Sequence, residues 1–413
     1  MTSTTTAYRV GWLIDGSGQP AVGNRIVIVK GPHIQQILNG DCPQPPGIDL
    51  IDLSDCTMLP ALIDSHVHLV MSGTTEPSTR QNQLTSTYAE RRGTIAQHLR
   101  QHWRCGVMAV RDGGDHYGDS LRFKYDSANQ SLSPVTIASP GRARRAAGRY
   151  GKLIGIAVEP GQTLTDSTFG KASRRDHLKL VNSGLNSLTQ FGVESLPQFE
   201  TGALKAVIAA AKERHLPTMV HANGYLPVKR AVVAGCDSIE HGFFMGRENM
   251  RRMADMGVVW VPTAGTMKAY SDYLKKQGHR SDPSFADVSR RNLDHQLEQI
   301  GIARQIGVTL ALGTDAGSPG VHHGWSVKVE LELFMAAGLC VEEAVRCASR
   351  NGARLMRLTD RGKIAAGMRA DVIAVKAPPE QVPGELHRIA HGLVAGCAMD
   401  LASTASPVPD PAD

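Results

Sequence analysis

Two histidines one residue apart, His66 and His68, interrupt the otherwise apolar run "LIDSHVHLV" (62–70). On an extended strand residues i and i+2 project to the same face, so both imidazoles can reach one cation. A single strand histidine is more often a satisfied core or surface residue than a ligand. Further donors stand in separate parts of the chain: Lys179 in "DHLKLVNS", His221 in "LPTMVHA", His241 in "CDSIEHG" and Asp315 in "GVTLALGTD". If these segments are strands with a common end, four imidazoles, one amine and one carboxylate converge. The set then reads as a metal centre, with donors that suit zinc but also manganese, iron or nickel.

The elements that must position these residues are short apolar strands alternating with amphipathic helices. Strands are predicted at 58–66, 106–112, 133–139, 176–183, 216–222, 236–242, 257–263 and 307–315. Helical spacing of apolar residues marks 201–215 and 341–356, among others. Eight strands alternating with helices predict an α/β protein built as a (β/α)8 TIM barrel over 58–359, with its chemistry at the C-terminal strand ends. Residues 1–57 and 360–413 read as β, which predicts one small β-domain drawn from both termini. The Pro-rich tail from about 402 to 413 reads as disordered.

Bulk properties narrow the function. The 413 residues carry a net charge of +6, and the one dense basic cluster is "GRARRAAGRYGK" (141–152). Aromatic residues, at 5%, are too sparse for a base-stacking surface, so a nucleic-acid partner is not expected. Seven scattered cysteines without a CxxC pair argue for reduced thiols. The N-terminus lacks a charged segment followed by an apolar one, and no apolar run reaches the length of a membrane span. The expected localisation is cytoplasmic.

Other conspicuous residues read more plainly. His98 and His102 have i, i+4 spacing without an HExxH glutamate, and are expected to be surface or packing residues. Cys340 and Cys347, a heptad apart, are expected in the core. Arg142, Arg144 and Arg145 read as a solvated basic loop. Tyr150, Arg149, Tyr225 and His323 fall on loops near the strand ends and are candidate substrate contacts. A phenol or guanidinium there could hold a carboxylate.

On these motifs the chain resembles the amidohydrolase superfamily of metal-dependent hydrolases. The likeness runs from "WLIDGSGQPAVGNRIVIVKGPHIQQI" (12–37) to "GKIAAGMRADVIAV" (362–375). Within the superfamily it resembles the binuclear, carboxylated-lysine subgroup of Xaa-Pro and Xaa-Arg dipeptidases, and imidazolonepropionase. The resemblance implies a distorted barrel with a composite β-sandwich domain formed from both chain termini. It implies that His66, His68 and Asp315 hold one divalent metal and His221 and His241 a second, with Zn2+ the expected ion. Lys179 would bridge the two as a carbamate derived from CO2.

The implied reaction is hydrolysis of an amide bond in a dipeptide or N-acyl amino acid. A metal-bridging hydroxide attacks, and Asp315 serves as general base and then acid. Deaminases of the superfamily carry HxxE after strand five, whereas His221 is followed by Ala222, Asn223 and Gly224. Relatives often show Gly-Gly-His-Gly after strand three, whereas this chain has "AAGRYG" with Tyr150 in the histidine's place. Open alternatives are a mononuclear enzyme acting on a cyclic amide or aminated ring, a carbamate or ester hydrolase, and a metal-free scaffold. The expected partners are a small-molecule substrate and further copies of the chain, with no membrane.

Overall fold

The segment "NRIVIVKGPHIQQIL" folds as its pattern requires: β-branched residues extend, Gly-Pro turns, and the chain returns. In the computed structural model, which describes residues 4–43, 46–129, 133–171, 173–277 and 283–399, Val22–Lys30 pairs antiparallel with His33–Asn39. These strands belong to a seven-stranded sheet drawn from both ends of the chain. Its order is Cys397–Ala398, Ile389–Val394, Val372–Val375, Asp49–Pro60, Thr5–Leu13, Val22–Lys30, His33–Asn39. The long strand Asp49–Pro60 joins the two ends, parallel to Thr5–Leu13 and antiparallel to Val372–Val375. Val10, Val27, Met58 and Val372 share a core on this sheet. The tail from 402 lies outside the described residues.

After a single residue, Ala61, the chain enters parallel structure. The predicted strand at 58–66 is therefore two strands in two sheets, Asp49–Pro60 and Leu62–Val67. Leu62–Val67, Val107–Asp112 and Thr136–Ala138 form one parallel sheet. A second holds, in order, Val259–Val261, Ser238–His241, Thr218–Ala222, Leu178–Val181, Ala143–Arg145 and Gly155–Ala157. All pairs in it are parallel. Helices such as Thr201–Glu213, Tyr225–Val233 and Arg247–Met256 separate successive strands and bury one face each. The protein is thus α/β with parallel sheets.

Two expectations change. The segment 307–315 is not a regular strand. Leu310 bridges Trp260 and Ala316 bridges Val67 singly. Ser65 N donates to Leu312 O and Asp315 N to His66 O. The segment thus lies between Leu62–Val67 and Val259–Val261 without a continuous ladder to either. Leu312 N instead donates to Cys347 O, at 3.0 Å. That carbonyl begins a π-helical turn, Cys347–Asn351, which interrupts the predicted helix 341–356.

The basic cluster also departs from a solvated loop. Ala143–Arg145 is a strand, and Arg144 is buried with its Nε donating to Ser167 O at 3.0 Å. A guanidinium with long methylenes can be packed once its donors meet carbonyls. The pairing that buries it comes from distant sequence. His98 and His102 are packing residues, both buried within Tyr88–Arg104. Cys347 is buried as expected, whereas Cys340 is exposed.

Candidate active site

The six candidate ligands come from the ends of five segments and line one cleft of about 510 Å3. His66 and His68 end Leu62–Val67, Lys179 lies within Leu178–Val181, and His221 and His241 close Thr218–Ala222 and Ser238–His241. Asp315 follows the bridged segment. His241, Thr263 and Asp315 adopt left-handed φ values of 67°, 49° and 59°. Non-glycine residues pay for that conformation with strain, and here it turns the chain sharply from strand to loop at the mouth. Two glycines permit the close packing: a Cβ on Gly113 would stand 2.5 Å from the His68 ring, and one on Gly313 2.8 Å from His66 Cβ.

Outer hydrogen bonds fix the rings. His66 Nδ1 lies 2.9 Å from Glu240 Oε2, His68 Nδ1 2.9 Å from Gly114 O, and His221 Nε2 3.1 Å from Gly184 O. A carbonyl can only accept, so His68 and His221 donate there and turn a lone pair inward. The carboxylate of Glu240 does the same for His66. His241 Nδ1 contacts Thr263 Oγ1 at 2.7 Å. Ring centroids lie 5.5 Å apart for His66 and His68, 4.9 Å for His66 and His241, and 4.6 Å for His221 and His241.

The inner atoms fit a cation. Asp315 Oδ1 is 3.6 Å from His66 Nε2 and 3.4 Å from His68 Nε2. With both lone pairs facing the carboxylate, three acceptors converge without a hydrogen between them. Such spacing suits donors sharing one ion at about 2.1 Å. His66 Nε2 and Lys179 Nζ are buried without any hydrogen-bond partner among the described residues. Buried polar atoms are rarely left so, and an orphaned pair at one site points to a missing ligand.

Electrostatics agree. Burial, reinforced by the neighbouring Lys179, depresses His68 to about 4 and His221 to about 3, and takes His66 well below 6.5. Neutral imidazole is the ligating form. Burial lowers the Lys179 ammonium below its usual range and raises the Asp315 carboxyl above its own. Asp315 Oδ2 accepts from Ser318 Oγ at 3.0 Å.

Of the candidate substrate contacts, Tyr150 and Arg149 line the cleft, and the Tyr150 ring is 5.2 Å from His221. Tyr225 and His323 are not among the lining residues. The Tyr225 hydroxyl donates to Glu248, on the helix Arg247–Met256. His323 is buried behind the site, stacked on His98 at 4.0 Å, with Nε2 donating to Met71 O at 2.8 Å and Nδ1 3.2 Å from His102 Nε2.

Sequence reading missed the support beneath the rings. Glu240 is fully buried and bonded by Arg111 Nη2 at 2.7 Å and Ser238 Oγ at 2.5 Å. Asp64 accepts from Thr314 N at 3.0 Å and Thr314 Oγ1 at 2.6 Å, tying the two segments that carry His66 and Asp315. Charged residues inside apolar strands ("AVRD", "SIEHG") were the available signal, since such residues are rarely buried unpaired.

The fold and this donor set define a hydrolase class, and a direct comparison agrees. The chain belongs to the amidohydrolase family, whose model matches residues 57–398. It is similar to a Xaa-Pro dipeptidase of known structure, solved with methionine in its active site. Identity is 26%, the TM-score is 0.78, and 96% of this chain and 100% of that one are covered. The imidazolonepropionase of Streptomyces griseus is 24% identical over 384 residues, covering 88% of this chain and 89% of that protein. The ochratoxinase of Aspergillus niger is 26% identical over 185 residues, 44% of this chain and 37% of that protein.

Proposed function

We propose that this chain is a binuclear metal-dependent hydrolase of an amide C–N bond in a small substrate, a dipeptide or an N-acyl amino acid. The observation that carries the reading is that His66, His68 and Asp315 cluster within 4.8 Å of one another in a cleft also lined by Lys179, His221 and His241, with two orphaned atoms, His66 Nε2 and Lys179 Nζ. His66, His68 and Asp315 would hold one divalent ion and His221 and His241 another, with zinc the metal these donors suit. Lys179 would bridge as a carbamate. Its lowered pKa favours the neutral amine, whose nitrogen bonds to CO2 as a proton leaves. When bound, the ions would acidify a water and polarise the scissile carbonyl.

The chain's own groups do the rest. Asp315, beside the His66 and His68 rings, takes the proton of the attacking water at its carboxylate and delivers it to the leaving nitrogen. Glu240 and Gly114 O keep His66 and His68 in the tautomers that present lone pairs. Tyr150 and Arg149 contact the substrate from the mouth. Water adds across the amide, releasing an acid and an amine. Similarity to a Xaa-Pro dipeptidase supports the choice of bond.

The architecture of this reading is a distorted (β/α)8 barrel over 58–359, in which the three- and six-stranded parallel sheets would be two arcs and Gly155–Ala157 an addition to the eight; the single bridges Trp260–Leu310 and Val67–Ala316 support it. The terminal sheet would be the β-sandwich domain of 1–57 and 360–413. The enzyme would act in the cytoplasm as a homo-oligomer.

Metal analysis of the purified chain, paired with a screen of dipeptides and N-acyl amino acids, tests the proposal. Two ions per chain and chelator-sensitive amide hydrolysis are expected. Lys179→Ala should lose metal and turnover together. Full turnover by metal-free protein, or by Lys179→Ala, would overturn the binuclear reading.

A further inference from the structure

The charges around the cleft are unbalanced. Its carboxylates are Asp115 and Asp315. Asp115 is already occupied by the backbone. Its Oδ1 accepts from the N–H of Tyr117, Gly118 and Asp119 at 2.9, 2.6 and 3.0 Å, and its Oδ2 from Ser120 at 3.1 Å. Asp315 faces His66 and His68. The same cleft is lined by three cationic side chains besides Lys179, namely Arg80, Arg149 and Lys152. None of the three pairs with a carboxylate among the described residues.

Arg149 and Lys152 are exposed, and water screens them. Arg80 is half-buried on the helix Pro77–Thr85. Its Nη1 donates to the carbonyls of Ser72, Thr74 and Gly317 at 2.8, 3.4 and 3.0 Å. Those bonds pin the head beside the loop that carries Asp315. Nε and Nη2 make no hydrogen bond to the described residues. A guanidinium held in place, partly desolvated, near Asp315 but in direct contact with no carboxylate among the described residues is suited to a substrate carboxylate.

The opposite chemistry lines the same cleft. Tyr117, Tyr150, Leu153 and Leu185 all line the cleft, yet remain 51%, 41%, 52% and 56% exposed. Large apolar side chains gathered at a mouth mark where an apolar ligand lands.

We infer that the cleft selects N-acyl amino acids over unblocked dipeptides, with the substrate carboxylate anchored by Arg80 and a large apolar acyl group against Tyr117, Tyr150, Leu153 and Leu185. A dipeptide's free ammonium would meet three cations and no available carboxylate. The inference rests on the amide-hydrolase reading and narrows its substrate.

Two measurements on the metal-loaded protein test it. Calorimetry compares decanoate with decylamine on the wild type, Arg80→Met and Arg80→Lys. Kinetics compare kcat/KM for N-octanoyl-phenylalanine, its carboxamide and leucyl-phenylalanine. Decanoate should bind and decylamine should bind at least about 10-fold more weakly. Arg80→Met should weaken decanoate by about 10- to 100-fold, the worth of one charge-assisted hydrogen bond, and Arg80→Lys should recover part of it. The acid should be turned over about 10-fold or more better than the carboxamide, and Arg80→Met should bring that ratio towards one. Decanoate affinity indifferent to residue 80, or leucyl-phenylalanine cleaved as well as the N-acyl compound, overturns the inference. If Arg80→Met does not fold, the wild-type preferences decide. Absence of any amide turnover, with decanoate binding still dependent on Arg80, would instead overturn the hydrolase reading and leave the anion anchor standing.

Discussion

Glu240→Gln separates metal ligation from mere packing, because both carboxylate oxygens face groups that need an acceptor, Oε1 serving Ser238 Oγ as well as Arg111. Oε2 faces His66 Nδ1 at 2.9 Å and Oε1 faces Arg111 Nη2 at 2.7 Å, all three side chains being buried. A glutamine has one acceptor and one donor where both neighbours require acceptors. If its oxygen faces His66, its NH2 opposes the Arg111 guanidinium and leaves a buried cation unpaired. Breaking a buried pair from one side costs about 3–5 kcal/mol. If its oxygen faces Arg111, the NH2 demands a lone pair from His66 Nδ1. The ring must then carry its proton on Nε2, the atom 3.6 Å from Asp315, and can no longer ligate.

Either orientation has a measurable consequence. Loss of an outer partner of a ligating histidine typically weakens metal by about 10- to 100-fold. Competition with a chelator gives that affinity, and melting with and without added metal separates it from the stability loss. The double variant Arg111→Met/Glu240→Gln removes both halves of the pair. It should regain stability relative to Glu240→Gln alone, with a coupling of about 0.5–3 kcal/mol, and, with the amide oxygen free to face His66 Nδ1, it should recover metal affinity as well. Wild-type metal affinity together with wild-type stability in Glu240→Gln would refute the roles assigned to Glu240 and to His66 Nε2.

Glu330 offers a pH test at a buried carboxyl outside the proposed ligand set. Burial raises it to about 8 from 4.5, with Oε1 accepting from Gly265 N at 2.7 Å and Oε2 unpartnered among the described residues. Between those pH values the unfolded chain has released a proton that the folded one keeps. Stability from this group is therefore whole below about pH 4.5 and declines towards pH 8, by at most about 1.4 kcal/mol per pH unit. Glu330→Gln keeps the acceptor and should flatten the melting-temperature profile over that range; an unchanged profile would show that the folded group ionises normally. His323→Leu strands the Met71 carbonyl and the His102 N–H, at about 1–3 kcal/mol each. It should lower the melting temperature, and a raised KM at undiminished stability would instead return His323 to the substrate site.

Much of this protein was legible as sequence because the signals are local. A strand's period of two makes His66-Val67-His68 a two-donor edge before any fold is known. Uninterrupted apolar runs mark strands buried on both faces, and "VHANG", "IEHG" and "LGTDAG" put polar residues where such runs stop. The terminal β segments were also legible, since "NRIVIVKGPHIQQIL" carries its own turn.

Only the tertiary structure decided which distant groups meet. Arg144 reads as solvated until Gly155–Ala157 and Leu178–Val181 close around its strand. The segment 307–315 has a strand's composition, yet its hydrogen bonds go to the Cys347 carbonyl and to two different strands. His323 sits on a loop that sequence places near the mouth, but its partners are His98, His102 and Met71. Glu240 lies in a motif visible from the start, and its task depends on His66, 174 residues away. Donor types and strand periodicity are properties of neighbours along the chain. Protonation, tautomer and burial depend on groups brought close by folding, because desolvation and hydrogen bonding act over a few ångströms of space, whatever the distance in sequence.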